Sequence, residues 1–478
     1  MKSIINSLLA MTLAFLSVQG VRGEVRMNSV FTGDMVLQQQ ARVMLRGTAA
    51  PGSRVMVKAG WRSGSSYTRA DAGGDWMLPL DTPVAGGPYD IVVSDRDGSI
   101  TLGDVLIGDV WVCGGQSNME MPMRGFHGQP VEGTLDMIAR ARGDRPVRLF
   151  RQRHAWSVTP VADIDSATWT LCTPASVGDF SAVGYIFGDY LQDVVDIPIG
   201  LIQCCWSNSR IEAWMPREAF VNEFPDITLP NDGQTEFGWL EGTPTLLYNG
   251  MVEGWKGFPV KGIIWYQGEA NHPDPAQYEK LFPVWARAWR ETFDNDTLPV
   301  YYVQLVPHNA GDPQGTAWAD FREVQTRLAY TTPHAGMITT GDIGDSIFIH
   351  APLKLEVGRR LARLALDGTY GRHGADVKGP VARSCAYNES ENSVWITFDN
   401  HGNGLIPTQR YLGGFEIVDS QGNIHEARAK AFGGNGIAVW SPVPDPVEVR
   451  YGYHNYYEAT LFNNMMIPAA PFRLKIKR

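Results

Sequence analysis

The pattern of apolar and polar residues changes twice along the chain. In residues 24–102 apolar and polar positions alternate in short runs, such as 76–80, and turn-forming residues separate the runs at close intervals. Alternation with a period of two is typical of half-buried strands, so we expect a small antiparallel β-domain here. After about residue 370 the alternation returns, for example in 393–398 and 447–451, and indicates a second β-region.

Between about residues 104 and 369 a different pattern holds. Continuous apolar runs alternate there with segments whose apolar residues recur every three or four positions, as in 183–194 and 278–289. The continuous runs lie at 110–113, 199–202, 262–266, 300–304 and 337–339. Strands that alternate with helices predict a mostly parallel α/β sheet, and such sheets place their chemistry at the carboxyl ends of the strands.

These changes predict four parts in a chain of 478 residues. We expect a leader at 1–23, an N-terminal β-domain at 24–103, an α/β catalytic domain at 104–372 and a C-terminal β-region at 373–478. Neither an internal repeat nor a low-complexity linker separates them, so we expect the β-parts to pack on the α/β core.

The leader is typical of a secretory signal peptide. Lys2 precedes an apolar run at 4–18, and small residues lead up to Gly23. The run is shorter than the roughly 20 residues that a membrane span requires. We therefore expect cleavage after Gly23 and export to the periplasm or out of the cell. No later stretch is long and apolar enough to span a bilayer.

Composition narrows the classes of function. With 44% hydrophobic and 19% charged residues the chain is a folded protein. A formal net charge of -10 provides no cationic field for a phosphate backbone, so we expect no nucleic-acid partner. The 5 cysteines are too few and too scattered for a disulfide scaffold, and the 10 histidines do not cluster at metal-ligand spacing. We expect neither a metal nor a cofactor.

One predicted strand ends in a turn that suits a nucleophile. The run at 110–113 is followed by Gly114, Gly115 and, after one more residue, Ser117. Glycines let the backbone turn sharply, and a serine at such a turn can lift its hydroxyl out of the sheet with its own N–H free for an oxyanion. A nucleophilic serine needs a base, and His350 lies in a loop between the last strand of the sheet and the next helix.

Longer motifs around these residues resemble a known family. The segments 108–111 and 115–122, with the later motif at 264–271, resemble the sialate O-acetylesterases of the SGNH hydrolase superfamily. Similar stretches extend over nearly the whole mature chain, among them 211–215, 247–251, 357–362 and 461–473. The resemblance implies an SGNH-type parallel-sheet α/β core, flanked by an N-terminal β-domain and a C-terminal β-region.

The resemblance also assigns roles to matched positions. Ser117 would be the nucleophile and His350 the general base in the removal of an acetyl ester from a sugar hydroxyl. The oxyanion hole would consist of the Ser117 N–H, a backbone N–H at Asn208, and a side-chain amide. That amide would come from Gln267 or Asn271, and each donor in such a hole typically contributes about 3 kcal/mol.

Two places depart from the family pattern. Relatives commonly have two glycines where this chain has Ser-Asn at 207–208. A backbone donor tolerates that change, although it adds side chains at the pocket wall. Relatives also commonly carry Asp at the position of Phe348, two residues before the histidine. The group that orients His350 is therefore open between Asp345, Asp342, a backbone carbonyl and no group at all; we favour Asp345 because it is nearer in the loop.

Three residues are candidate substrate contacts: Gln116, beside the nucleophile, and Arg210 and Arg322, because a guanidinium matches the carboxylate of a sialic acid bidentately. The leading hypothesis is an exported acetylesterase that acts on O-acetylated sialic acid. One alternative keeps the chemistry and takes another acetylated polysaccharide such as xylan. A second alternative, a noncatalytic carbohydrate-binding protein, is supported by the loss of Asp at Phe348.

The leader generates a first prediction. We expect the exported protein to begin at or near Glu24, because small residues precede this position and the segment before it has the charge and apolar pattern of a signal peptide. N-terminal sequencing of protein recovered from the periplasm or the medium measures this directly. Exported protein that still begins at Met1 would contradict it.

Overall fold

The computed structural model describes residues 24–164, 167–407, 410–432 and 434–477. The predicted signal peptide at 1–23 therefore lies outside the described residues. Within these ranges no helix has the length and apolar character needed to cross a membrane. All five cysteines are buried as free thiols.

Antiparallel strands make up the N-terminal region, as predicted. They are β1 (Arg26–Met27), β2 (Val36–Gln38), β3 (Arg42–Thr48), β4 (Arg54–Ala59), β5 (Ser66–Arg69), β6 (Asp75–Asp81), β7 (Gly86–Ser94) and β8 (Ser99–Gly115). Along β6, Trp76, Leu78 and Leu80 are buried while the residues between them are exposed, which is the predicted alternation. β3 pairs with β1 and β6, β4 with β5 and β7, and β7 with β8. Strand β2 differs, because it runs parallel to β8.

Strands and helices alternate in the central region. They are α1 (Ser117–Glu120), α2 (Thr134–Arg140), β9 (Val147–Arg151), β10 (Trp169–Leu171), α3 (Pro174–Asp179), α4 (Ala182–Val195), β11 (Ile199–Cys205), α5 (Arg217–Glu223), β12 (Gly262–Tyr266), α6 (Pro275–Thr292), β13 (Val300–Val303), α7 (Ala317–Thr331), β14 (Ala335–Ile338) and α8 (Lys354–Gly368). The strand order is β10-β9-β11-β8-β12-β13-β14, and every pair is parallel except β10 with β9.

The continuous apolar runs form the centre of this sheet. All residues of β11 and β12 are buried, because strands covered by helices on both faces have no solvent side. The α/β fold class predicted from the alternation is confirmed. Parallel pairing also brings the carboxyl ends of β8, β11 and β12 to one edge of the sheet.

Strand β8 belongs to two parts of the fold. Its first residues pair with β7, and its last residues pair with β11 and β12. The predicted boundary at 103/104 falls inside this strand, and one apolar core runs from Val25 to Leu366. The N-terminal strands and the α/β region thus share a strand and a core, and the division into domains stays a prediction.

The C-terminal region is a second β-structure with its own apolar core. Its strands are β15 (Val381–Asn388), β16 (Ser393–Asp399), β17 (Leu405–Pro407), β18 (Leu412–Asp419), β19 (Ile424–Ala431), β20 (Gly436–Trp440), β21 (Pro446–Tyr451), β22 (Leu461–Asn463) and β23 (Phe472–Lys475). The main sheet has the order β15-β16-β20-β19-β18-β21-β23. The Thr339 hydroxyl, just after β14, donates to the Pro468 carbonyl at 2.8 Å, so this region packs on the α/β core as expected.

Candidate active site

The turn after β8 places Ser117 at the carboxyl edge of the sheet. Gly115 has a φ of +137°, and a Cβ there would lie 2.1 Å from the carbonyl oxygen of Tyr266 on β12. A Cβ on Gly114 would lie 2.8 Å from the ring of Trp265. Only glycine fits so close an approach, and only glycine adopts this φ readily. β8 can therefore end against β12, and α1 begins at Ser117 as the chain leaves the sheet.

Ser117 opens into a cavity of about 450 Å³ at this edge. It is lined by Gln116, Ser117, Phe126, Ser207, Asn208, Glu269, Ala270, Ile349 and His350. A larger cleft of about 550 Å³ lies near the amino ends of β12 and β13 and holds none of the predicted site residues. The smaller cavity brings together the predicted nucleophile, the predicted base and Asn208, and it is the candidate active site.

His350 is oriented by an amide. Its Nδ1 donates to Oε1 of Gln129 at 2.5 Å, and the ring of Phe126 meets the imidazole edge to face at 5.2 Å between centroids. Gln129 is held by its own backbone N–H, which donates to the Phe126 carbonyl at 3.0 Å. An acceptor on Nδ1 selects the tautomer that leaves Nε2 as the basic nitrogen. Sequence reasoning missed Gln129, because it lies 221 residues before the histidine and in no recognisable motif.

The expected acid is not at the imidazole. Oδ1 of Asp345 accepts the backbone N–H groups of Ile347 and Phe348 at 2.7 and 2.8 Å and shapes the loop instead. Asp342 takes both of its oxygens to the guanidinium of Arg360, at 2.8 and 2.6 Å. Our preference for Asp345 is therefore corrected, because Nδ1 of His350 bonds Gln129 and Oδ1 of Asp345 is held by its own loop.

Burial keeps the imidazole of His350 neutral. It lowers the pKa of His350 to about 4, and the cation of Lys354 and the nearby His308 act in the same direction. The Glu120 carboxylate opposes them. A neutral amide on Nδ1 supplies no negative charge to raise the pKa again. The imidazole can therefore accept a proton over a wide range of pH.

Asn208 lies on a loop that is hydrogen-bonded to α1, the helix that begins at Ser117. Its φ of +61° belongs to the left-handed region, which Asn tolerates better than most side chains. Beside it, the N–H and hydroxyl of Ser207 donate to Oε2 of Glu120 at 2.5 and 2.6 Å, and His154 bonds Oε1 at 2.8 Å. Burial opposes the charge on Glu120, but these bonds outweigh it and hold its pKa below the ordinary value. The Ser207 hydroxyl thus adds a bond that fixes the loop.

Gln267 and Asn271 are not placed as oxyanion donors. Both are buried and neither lines the cavity. Gln267 Nε2 donates to Asn271 Oδ1 at 2.7 Å and to the Ser209 carbonyl at 3.1 Å, while Asn271 Nδ2 donates to Glu212 at 2.8 Å. The expectation that one of them faces the oxyanion is corrected, because their N–H groups brace the neighbouring loop.

Gln116 offers an amide at the cavity itself. Its Oε1 receives the backbone N–H groups of Gly268 and Ala270 at 3.3 and 3.2 Å. Backbone N–H groups only donate, so the oxygen must face them and the NH₂ group must take the other position. Nε2 has no partner among the described residues, and Gln116 lines the cavity directly before Ser117.

The two predicted arginines lie away from the cavity lining. Arg322 is fully buried, and its guanidinium donates to the carbonyls of His454 and Asn455 in the C-terminal region. Its assignment as a substrate contact is corrected, because it has no exposed surface. Arg210 forms an ion pair with Glu212 at 3.0 Å, with 27% of its side chain exposed.

The chain is similar to known carbohydrate esterases. The family model described as carbohydrate esterase, sialic acid-specific acetylesterase, matches residues 107–367. Sialate O-acetylesterase of Homo sapiens is 29% identical over 393 residues, covering 74% of this chain and 73% of that protein. The Mus musculus sialate O-acetylesterase is 26% identical over 431 residues, covering 78% and 79%. The crystal structure of a carbohydrate acetylesterase from Xanthomonas citri superposes with a TM-score of 0.85 at 33% identity, covering 94% of this chain and 99% of that one.

The buried imidazole generates a second prediction. We expect His350 to titrate near pH 4 and to stay neutral at pH 6, because burial and Lys354 disfavour its charged form. NMR of histidine-labelled protein measures this, and His350→Gln assigns the signal. His454 is the internal control: its hydrogen bond to Glu416 raises its pKa, so it should titrate above the ordinary value of about 6.5. Titration of His350 at or above that value would contradict the prediction.

Proposed function

The chain belongs to the sialic acid-specific acetylesterase family of carbohydrate esterases, and from this premise we propose that it removes acetyl groups from O-acetylated sialic acids through an acetyl-enzyme on Ser117. The observation that carries the proposal is the shared cavity. Ser117 and His350 line it together, and Gln129 on Nδ1 leaves Nε2 of the imidazole free to take the serine proton.

The proposed reaction has two halves. His350 takes the proton as Oγ of Ser117 attacks the acetyl carbonyl, and it then returns this proton to the sugar oxygen as the C–O bond breaks. In the second half the same imidazole deprotonates a water, whose oxygen attacks the acetyl carbon; the imidazole then returns the proton to Oγ of Ser117 as the Oγ–C bond breaks and acetate leaves. A base with a low pKa is a weak one, but burial ensures that it is unprotonated when the substrate arrives.

Three N–H donors serve the oxyanion in this proposal. The backbone N–H groups of Ser117 and Asn208 are two of them, since both residues line the cavity. Nε2 of Gln116 is the third, in place of Gln267 or Asn271, because its oxygen is held by backbone donors and its NH₂ is unpaired among the described residues. Each donor would contribute about 3 kcal/mol to the transition state.

We extend the proposal to fold type and location. The strand order β11-β8-β12-β13-β14, with the nucleophile directly after β8, supports an SGNH-type core. The sequence at 1–23 supports export to the periplasm or beyond.

A second candidate substrate follows from the cavity lining. Among the described residues that line it, none is Arg or Lys, and Glu269 is a carboxylic acid. A sialic acid would bring a carboxylate that needs a cationic or strongly donating partner. An acetylated neutral polysaccharide such as xylan makes no such demand, so it is the alternative that this lining favours.

A third prediction tests the function. Ser117→Ala should lower hydrolysis of 4-nitrophenyl acetate by at least about a thousandfold, because no acyl-enzyme can form. Ser390→Ala, at an exposed serine of the C-terminal region, is the matched control and should match the wild type. If Ser117→Ala retains a tenth of the rate, Ser117 is not the nucleophile. An inactive wild type that still binds sugar would favour the noncatalytic alternative.

The wild type and the serine variants also serve to test which substrate is preferred. Acetate release is measured from O-acetylated sialic acids and from acetylated xylan. Higher kcat/KM on the sialic acids supports the leading proposal, and higher kcat/KM on xylan replaces it with the second candidate.

A fourth prediction concerns Gln129. Gln129→Ala should lower kcat by about a hundredfold or more, because the imidazole loses the acceptor that selects its tautomer. Gln129→Glu should stay active and should move the acid limb of kcat/KM to higher pH, since a carboxylate raises the pKa of His350. Asp345→Asn is the control and should stay within a few-fold of wild type. Equal losses in Asp345→Asn and Gln129→Ala would return the orienting role to Asp345.

A further inference from the structure

A lysine lies buried beneath the candidate active site. Lys354 is the first residue of α8, four positions after His350, and it is completely buried. Its ammonium donates to Oδ1 of Asn118, the residue that follows the nucleophile. A buried ammonium is unfavourable unless it is paired, so a role for this cation has to be sought in what it contacts.

The amide of Asn118 connects three segments. Its Nδ2 donates to Oε1 of Glu269 at 2.5 Å and to the carbonyl of Ile349 at 3.2 Å, directly before the base. An ammonium only donates and a carbonyl only accepts, so the contacts of Lys354 and Ile349 fix which end of the amide faces which partner. Asn118 is itself fully buried. The amide thus joins the nucleophile turn to the loop that carries the base.

We propose that Lys354 is a positioning residue for the catalytic pair: by holding Oδ1 of Asn118 it turns Nδ2 toward the base loop and so fixes Ser117 relative to His350. The inference rests on the proposed function. Lys354 touches no reacting atom and is not a lining residue of the cavity.

The charge of Lys354 has a second, measurable effect. The charged and titratable groups around His350 are Lys354 of α8, His308 of the loop after β13 and Glu120 of α1. Lys354 in turn faces Glu269, and its Nζ lies 5.4 Å from the centre of the Tyr266 ring. Burial lowers the pKa of Lys354 to about 7, against the pull of Glu269. The cation is therefore present at the lower pH where His350 titrates, and it disfavours a second positive charge there.

A purely structural lysine would have neither effect: it would not fix Ser117 relative to His350, and it would not lower the pKa of His350. A lysine that only filled the space under the pocket would change the free energy of unfolding and leave the pH profile unchanged. A lysine that positions and polarises the pair changes kcat and the titration of His350 as well.

The experiment replaces the Lys354 cation and compares the effect with that of replacing a second cation on the same helix α8. Lys354→Met should lower kcat on 4-nitrophenyl acetate by about tenfold or more with little change in KM, because the pair is misplaced. It should also move the acid limb of kcat/KM up by roughly one pH unit, since the neighbouring charge is gone. Arg360→Met is the matched control. Arg360 is equally buried on α8 but pairs with Asp342 and Glu356, so its loss should destabilise the protein without moving the acid limb.

Each outcome has a definite meaning. An acid limb and kcat that are the same in Lys354→Met and Arg360→Met overturn the inference. If Lys354→Met does not fold, the double variant Lys354→Met with Glu269→Gln leaves no unpaired buried charge, and the same shift is required of it. If the wild type shows no Ser117-dependent hydrolysis, the proposed function fails. The pKa of His350 by NMR then still tests the charge effect: an unchanged value in the lysine variant overturns the inference independently.

Discussion

The carboxyl end of β8 lies against β12 with no side chain between them, and the positions of the next three residues depend on this contact. Gly114 and Gly115 permit it because a Cβ at either position would overlap Trp265 or the Tyr266 carbonyl. The chain then leaves the sheet beside the loop that follows β12. Three consecutive residues can therefore make different contacts. Gln116 binds the backbone after β12, Ser117 faces the cavity, and Asn118 reaches the loop that carries His350.

Neutral side-chain amides form the hydrogen bonds that connect the segments around the candidate site. Gln116 binds the backbone after β12, Asn118 joins the turn at Ser117 to the loop that carries His350, and Gln129 binds the imidazole. An amide both donates and accepts, so it can bridge two segments without placing a charge in a buried region. The two nearby carboxylates are hydrogen-bonded: Glu120 accepts from Ser207 and so fixes the Asn208 loop, and Glu269 accepts from the side-chain amide of Asn118. This arrangement gives Nδ1 of the imidazole a neutral partner, and burial is then the largest influence on the pKa of His350.

Lys354 lies below the cavity, whereas Glu269 also lines it. Lys354 and Glu269 are joined through Asn118, and burial disfavours the charged form of both. Apart from the Glu269 carboxyl and the His350 imidazole, the polar groups of the cavity lining are amides, hydroxyls and backbone N–H groups. The guanidinium of Arg322 lies away from the cavity. It binds carbonyls of the C-terminal region and so connects that region to α7.

The sequence by itself determined the class of fold and the identity of the nucleophile and base candidates. Apolar periodicity is a local property, so it predicted the strands and helices, and the Gly-Gly-Gln-Ser turn is contiguous, so Ser117 was visible in it. The partner of His350 was not predictable in this way. Asp345 is near in the chain, but its carboxylate meets the N–H groups of its own loop. Gln129 comes from a distant loop, and only the packing of that loop against the base decided which oxygen reaches Nδ1, because a hydrogen bond depends on distance in space and not on distance along the chain.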